Sequence, residues 1–558
     1  MNILLGLLPF WDPQIPPLGI ACLKSYLNKN DLDAVCFDLN TKIEFRNIYD
    51  KYFSVLNRVI PEDKKGNIYN IGNQVVRNHL TAHLHVESQE KYFLVLGTLV
   101  LNTFYTKLEN DDYIELINIV KEYYVLLEKA IRELFLKHKP TIFGLSVFGD
   151  TLGPSIFAFK LAKEINPEIK TIMGGGIFAD QLAPNSPNLE YFMNYSRSFI
   201  DKYVIGEGEE LFLAFVKDEI PEDEIVLSKQ SSGNYLSIDE LNVPVYDDFE
   251  LKHYAHVGFY GARSCPFQCN FCSETINWGK YRKKEIDKTV SEFKLLNEKY
   301  NNQLFLLTDS TLNPVVTPLS EALIKADFTV YWDGFLRADK HVCSEENTIL
   351  WRKGGFYRAK LGLESGSQRM LDLMNKSTSV ETYKKALASL AFAGIKTTTF
   401  WLFGFPGETE EDFQKTLDFL EECKDYIYEA DCNAFNYFVS GQANSDDWLQ
   451  NSTSSALFPE WTREYFITQT NVLDSLPSRQ DAYSRVNRFM EHCKKLGIPN
   501  PYSLTDIDKA DKRWKSLHLN AVPALMDFKS NTYIDECKDV KQYTFTSEVD
   551  TEDFEFDL

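Results

Sequence analysis

Cys265-Pro266-Phe267-Gln268-Cys269-Asn270-Phe271-Cys272 places three thiols at C-x3-C-x2-C spacing. Thiolates so spaced can each hold one iron of a [4Fe–4S] cluster and leave the fourth iron without a protein ligand. An open iron is what a small chelating molecule needs if it is to receive an electron from the cluster. Four-cysteine clusters mostly pass electrons; a three-cysteine site of this shape can do chemistry. The competing readings are ordinary buried thiols or a zinc knuckle. Zinc sites usually close with four ligands, and no second C-x2-C or His pair follows Cys272.

Outward from this loop the chain alternates apolar runs with amphipathic ones. Downstream, strands are predicted at 257–260, 303–308, 329–335, 359–363, 396–402 and 430–436, with helices such as 288–300 and 380–393 between them. Upstream, strands are predicted at 2–8, 34–37, 141–147, 170–173 and 203–205, with helices at 18–27 and 154–165. Such alternation predicts an α/β protein whose first part is a parallel, doubly wound sheet. Ligands on these sheets lie beyond the carboxyl ends of the strands. Those ends carry Pro16-Pro17-Leu18, Ser146, Gly174-Gly175-Gly176 and Gly206-Glu207-Gly208. Each glycine could equally make a tight turn and nothing more.

Composition bounds the rest. A chain of 558 residues predicts roughly two to four domains. Its formal charge of −22 argues against a nucleic-acid grip and disfavours an anionic membrane surface. The start, Met1-Asn2-Ile3-Leu4-Leu5, lacks the basic flank of a signal peptide, and the most apolar stretch, 92–105, falls short of the ~20 residues a membrane span takes. A cytosolic protein is expected. Its 10 cysteines in so long a chain do not suggest a disulfide scaffold; those outside the octet read as reduced and mostly structural, Cys432 being the least certain.

The octet resembles the cluster motif of radical S-adenosylmethionine (SAM) enzymes. Gly362-Leu363-Glu364-Ser365-Gly366-Ser367 with Met374-Asn375-Lys376, and Gly404-Phe405-Pro406-Gly407-Glu408-Thr409, resemble that superfamily's later signatures. Pro16-Pro17-Leu18-Gly19, Gly174-Gly175-Gly176 and Gly206-Glu207-Gly208-Glu209 resemble its cobalamin-binding branch. The resemblance covers about residues 1–40 and 138–440. It implies a Rossmann-like cobalamin domain at 1–210 with a helical insertion at about 41–137, a linker at 211–250, and a partial (β/α)6 barrel at 251–440. A mostly helical region at 441–558 follows, with aromatic patches at Trp448, Trp461 and Trp514 and an acidic tail at 546–558.

The resemblance also implies site residues. Cys265, Cys269 and Cys272 would ligate the cluster, with SAM on the open iron; an electron from the cluster would cleave the sulfonium and give a 5′-deoxyadenosyl radical. Phe271 would flank the adenine, and Glu364, Ser365, Asp309 and Arg337 would hold SAM's polar groups. For Asp309 and Arg337 the bland alternative is a salt bridge with each other or with Asp339. Thr409 would cap the helix that follows it. Cobalamin would meet Pro17, Leu18, Ser146, Phe148, Asp150, Gly174, Gly175, Gly176, Gly206, Glu207 and Gly208. No D-x-H-x-x-G stretch supplies a lower axial His, and residues 148–151 would lie nearest the lower face. An external one-electron donor of flavodoxin or ferredoxin type is implied, and no catalytic residue is identified beyond the cluster ligands.

The leading expectation is C-methylation of an unactivated carbon in a peptide or natural-product precursor. The alternatives are a radical rearrangement, cyclisation, epimerisation or oxidation with a vestigial cobalamin domain, and a sensor without turnover. The methylthiolating branch fits less well, since it ends in a β-barrel. In the insertion, His79 and His83 share a helix face, but the HExxH spacing of a zinc protease is missing.

Overall fold

A computed structural model describes residues 1–184, 186–229, 235–437, 454–500 and 504–529. The expected acidic tail and Trp448 lie outside them. The first sheet is parallel throughout: β1 (Ile3–Leu7), β2 (Val35–Asp38), β3 (Ile142–Ser146), β4 (Lys170–Gly174), β5 (Lys202–Ile205) and β6 (Val226–Ser228), in the order β2-β1-β3-β4-β5-β6. Near-continuous apolar runs such as ILLGL and IFGLS suit strands buried on both faces. The order reverses between β1 and β3, so a crevice opens beyond their carboxyl ends. β6 falls in the stretch expected to be linker; it pairs with β5 and lengthens the sheet.

The insertion is helical. Helices Ile43–Val59, Ile68–His83, Gln89–Phe104 and Asn110–His138 pack their apolar faces on one side of the sheet, around Leu4, Phe143, Leu145 and Met173. His79, which shares a helix face with His83, is fully buried among tyrosines. Its Nδ1 lies 2.8 Å from the Tyr52 hydroxyl and its Nε2 lies 3.0 Å from that of Tyr92, which also meets His83 Nδ1 at 2.8 Å. Both ring nitrogens of His79 are therefore taken by phenols, and the pair serves the core.

The second sheet holds β7 (Val257–Phe259), β10 (Leu304–Leu307), β11 (Tyr331–Leu336), β12 (Phe356–Glu364), β13 (Lys396–Phe403) and β14 (Glu429–Ala434). A short antiparallel pair, β8 (Ala262–Arg263) and β9 (Arg282–Lys283), brackets the cysteine octet. All six strands of the sheet are parallel, in the order β14-β13-β12-β11-β10-β7, with β14 and β7 left as edges. Leu361, Leu363, Trp401, Ala430 and Cys432 are buried, while the alternate positions Phe335, Phe400, Leu402, Asp431 and Asn433 stay partly open. Side chains alternate across a strand, so one face packs under helices and the other lines a lumen. The lumen floor is ionic: Asp333 pairs with Arg358 at 2.5 Å and Lys360 at 3.7 Å.

The two sheets share one apolar core, which runs from Leu5 and Ile172 through Tyr246 to Phe259 and Phe305. A strap over 242–250 ties them. Asp248 accepts from Lys24 at 2.6 Å and Cys36 N at 2.8 Å, and the Tyr246 hydroxyl donates to Gly258 O at 2.5 Å. After the barrel, an antiparallel pair, β15 (Ser454–Ala456) and β16 (Asn471–Leu473), joins helices Arg479–Leu496, Leu504–Leu517 and Leu525–Lys529. Phe489 packs on Trp401 and Phe403, and Trp514 is buried against Tyr428. Among the described residues no helix is long and apolar enough to cross a membrane.

Burial pushes His79 and His256 down to about 3 and His83 and His85 to about 4. These groups stay neutral when folded but protonate near 6.5 when unfolded. The unfolded chain thus binds more protons below that pH, and stability should fall by up to ~1.4 kcal/mol per pH unit for each such His. Thermal midpoints between pH 7.5 and 5 should decline, and His79→Gln should flatten that slope; an unchanged slope would refute the buried neutral His79.

Candidate functional site

The cysteine loop is held from three sides at the carboxyl end of the barrel. Asn270 N donates to Met374 O at 3.0 Å, Asn270 Nδ2 to Leu373 O at 2.9 Å, and Asn375 Nδ2 to Gln268 O at 2.8 Å. At its root, Ser264 Oγ donates to Gly279 O at 2.7 Å. Just before it, Arg263 lies 2.5 Å from Glu209 and 3.1 Å from Glu207, both on the first domain. Cys265, Cys269 and Cys272 are half-buried and take part in no disulfide. Burial pushes Cys265 up and Cys272 up to about 12, with the Glu274 carboxylate adding to both. Among the described residues no three His, Cys, Asp or Glu side chains converge as on a single metal ion.

Glu364 ends β12 with a left-handed φ of 65°, at a register break between Gly362 and Glu364. Its Oε1 lies 3.2 Å from Lys376 Nζ. A Cβ on Gly362 would stand 2.6 Å from that oxygen, so only glycine lets the carboxylate fold back over the strand end. Lys376 Nζ also lies 5.6 Å above the Phe271 ring, which packs against Met370, Met374 and Phe405. Arg337 makes neither of the salt bridges weighed for it. Its Nη1 lies 3.2 Å from Cys269 Sγ and its guanidinium 4.4 Å above Phe267, while Asn313 braces its backbone on both sides.

Asp309 is buried; its Oδ1 accepts from Gly261 N at 2.7 Å and its Oδ2 has no hydrogen-bond partner among the described residues. Burial pushes it up to about 7, against the pull of the Ala262 and Gly261 amides. The Tyr281 hydroxyl is also buried without a hydrogen-bond partner among the described residues. Ser365 Oγ accepts from Ser367 N at 3.1 Å and lies 3.3 Å from Thr416 Oγ1. Thr409 caps the helix Glu410–Cys423 in a capping box with Asp412.

On the first domain, the carboxyl ends of β1, β3, β4 and β5 bring Pro17, Leu18, Ser146, Gly174 and Gly206 to one edge. The Ser146 hydroxyl sits there half-buried, with no hydrogen-bond partner among the described residues. Gly175, at φ 109°, runs so close to Val147 that a Cβ would come within 2.5 Å of its N. Gly176 packs on the Phe148 ring, which stacks on Trp11 at 4.0 Å. Asp150 faces Arg77 at 3.6 Å and lines a cavity of about 390 Å3 shared by the insertion, the loops after β3 and β4, the end of β14 and residues 469–483. The Glu207 carboxylate pairs with Arg263 and Arg282 across the domain interface.

The profile of the radical SAM superfamily matches residues 260–420. The chain carries a radical SAM domain. That domain spans β8 to the helix after β13 and contains the octet, Arg337 and Glu364. Over 326 residues the chain is 28% identical to the anaerobic magnesium-protoporphyrin IX monomethyl ester cyclase of Rubrivivax gelatinosus, covering 52% of this chain and 56% of that one. Over 314 residues it is 25% identical to an uncharacterized methyltransferase of Pyrococcus horikoshii, covering 52% and 66%. The match thus spans between about half and two thirds of these relatives.

In structure, the chain resembles the radical SAM methyltransferase TsrM of Kitasatospora setae, solved with cobalamin and a [4Fe–4S] cluster: TM-score 0.58, 13% identity, 95% of this chain and 98% of that one. The cobalamin-dependent radical SAM enzyme OxsB gives TM-score 0.50 at 15% identity, over 92% and 66%. The fold of the radical SAM domain with its N-terminal sheet is the fold of these proteins.

Arg263, Arg282, Gln469 and Arg479 went unnoticed in the sequence. The two former flank the octet at the spacing of a hairpin around it; the two latter sit in a region without repeat or motif. The clamp on the cysteine loop is testable through Asn375→Ala. Losing the bond to Gln268 O should lower stability by about 1 kcal/mol and reduce iron retained per chain after desalting. Full iron retention would show that the clamp does not hold the loop.

Proposed function

We propose that the chain is a radical SAM enzyme that works with cobalamin and methylates an unactivated carbon. The observation that carries this reading is the cysteine loop, which stands at the mouth of an open barrel and is pinned by Arg263 to the carboxyl edge of a doubly wound sheet. Three thiols outside any disulfide, on a braced loop, fit a cluster with one open iron. A Ser146 hydroxyl with no hydrogen-bond partner among the described residues, at the reversal point of the sheet, fits a large ligand there. When bound, the cluster supplies an electron to SAM's sulfonium, and cobalamin supplies the methyl donor.

The residues divide the remaining work. Cys265, Cys269 and Cys272 would hold the cluster, and the Arg337 cation beside Cys269 offsets thiolate charge. Glu364, fixed by Lys376, offers a carboxylate to SAM's amine or ribose hydroxyls, and Phe271 an apolar ring to its adenine. Ser365 acts by holding the Glu364 turn against Thr416. Pro17, Leu18, Ser146 and Gly174 to Gly176 would hold the corrin, with Phe148 and Asp150 beside it. The substrate would lie between the two domains, in reach of both. A cyclisation without methyl transfer is the second reading, favoured by the cyclase among the relatives.

Anaerobic reconstitution with iron, sulfide and hydroxocobalamin should give near-stoichiometric corrinoid. Ser146→Phe should cut corrinoid at least tenfold while iron stays unchanged. Turnover should release S-adenosylhomocysteine with 5′-deoxyadenosine. Release of 5′-deoxyadenosine alone would select the second reading, and no corrinoid beside an intact cluster would sink the cobalamin assignment.

A further inference from the structure

The cavity of about 390 Å3 holds polar groups that nothing in the cluster site uses. Gln469 is 5% exposed, and neither its Oε1 nor its Nε2 has a partner among the described residues. Its backbone is fixed: Asn188 Nδ2 donates to Gln469 O at 2.9 Å, and Gln469 N donates to Asn188 Oδ1 at 3.0 Å. A buried amide left with donor and acceptor both unmet is costly, and a rigid one is built to meet something.

Arg479 stands on the same wall. Its Nη2 donates to Gln74 Oε1 at 2.8 Å and meets the Tyr483 hydroxyl, while its Nε is buried without an acceptor. Gln74 continues to Thr470 Oγ1 at 3.2 Å, which links the arginine to the neighbour of Gln469. Arg77 has Asp150 opposite it, but Arg479 has no carboxylate partner among the described residues. A guanidinium with an open edge is shaped for a carboxylate.

An amide with both functions unmet, beside a guanidinium that has no carboxylate partner among the described residues, complements a secondary amide followed by a carboxylate. We propose that this cavity binds the C-terminal end of a peptide or N-acyl amino acid, its carboxylate on Arg479 and its last amide on Gln469. The inference rests on the reading of the chain as a radical enzyme with its substrate between the domains. Asn433, at the end of β14, lines both this cavity and the open face of the strand, so a ligand anchored here extends into the lumen. Phe435, two residues on, packs on Phe405 in the cluster that holds Phe271. A nucleotide also offers an anion, but the Tyr483 ring that would stack its base is already covered by Arg479 at 5.0 Å.

The test is calorimetric titration of the anaerobically reconstituted full chain with N-acetylglycylalanine, its C-terminal amide and AMP. The acid should bind at least tenfold more tightly than the amide. Arg479→Gln should bring the acid down to the level of the amide, and Gln469→Leu should weaken both at least threefold. Iron content and thermal midpoint report folding of each variant; Arg479→Lys, which keeps the charge, should retain part of the preference for the acid if Arg479→Gln misfolds. Equal binding of acid and amide, no binding, or tighter binding of AMP overturns the proposal. So does loss of acid binding on preloading with hydroxocobalamin, which would give the cavity to the corrin. Binding is read without SAM cleavage, so its failure leaves the radical reading standing; binding without any SAM cleavage would sink that reading alone.

Discussion

Arg263 is buried between Glu207 and Glu209, and the relation of the two domains turns on it. Taking three charges out of water is costly, and the arrangement holds only while all partners stay in place; removing one partner of a buried pair costs about 3–5 kcal/mol. That stringency has a geometric consequence. Arg263 is two residues before Cys265, so the first domain fixes the root of the cysteine loop. The middle of the loop, at Gln268 and Asn270, is fixed by the Met374-Asn375 turn. A loop held at its root and its middle presents its thiols with less entropy of searching for them.

The barrel supplies the space. Six strands do not close, and their inner positions change character along the axis. Ionic residues fill the floor around Asp333 and Arg358, aromatic Phe335 and Phe400 follow, and Arg337 and Glu364 stand at the top. Charges at the floor are satisfied by each other. At the top, the Arg337 guanidinium faces the Cys269 thiol and the Phe267 ring. The side where the barrel stays open faces the insertion and the C-terminal region, which together form the amide-lined cavity.

Much of this was legible in the sequence. Every expected strand and helix of the two α/β runs formed within a few residues of its predicted bounds, because the apolar runs and turn residues are local signals. The octet, Glu364 and the Thr409 cap were legible for the same reason. What was not legible depended on partners far along the chain. Glu207 looked like a ligand-edge residue, yet it pairs with arginines about 56 and 75 residues away. Ser365 looked like a SAM contact, yet its hydroxyl bonds to Thr416. His79 and His83 are helix neighbours in sequence; only the fold brings Tyr52 and Tyr92 to them.

The sequence by itself determined the alternation of strands and helices, the cysteine spacing and the glycines at the strand ends, because each is written in residues close together. The tertiary structure alone decided which carboxylates meet which arginines, which alternate strand positions stay open, and that Gln469 and Arg479 share a wall with Gln74. Those outcomes depend on packing between elements hundreds of residues apart, and periodicity carries no information about such distances.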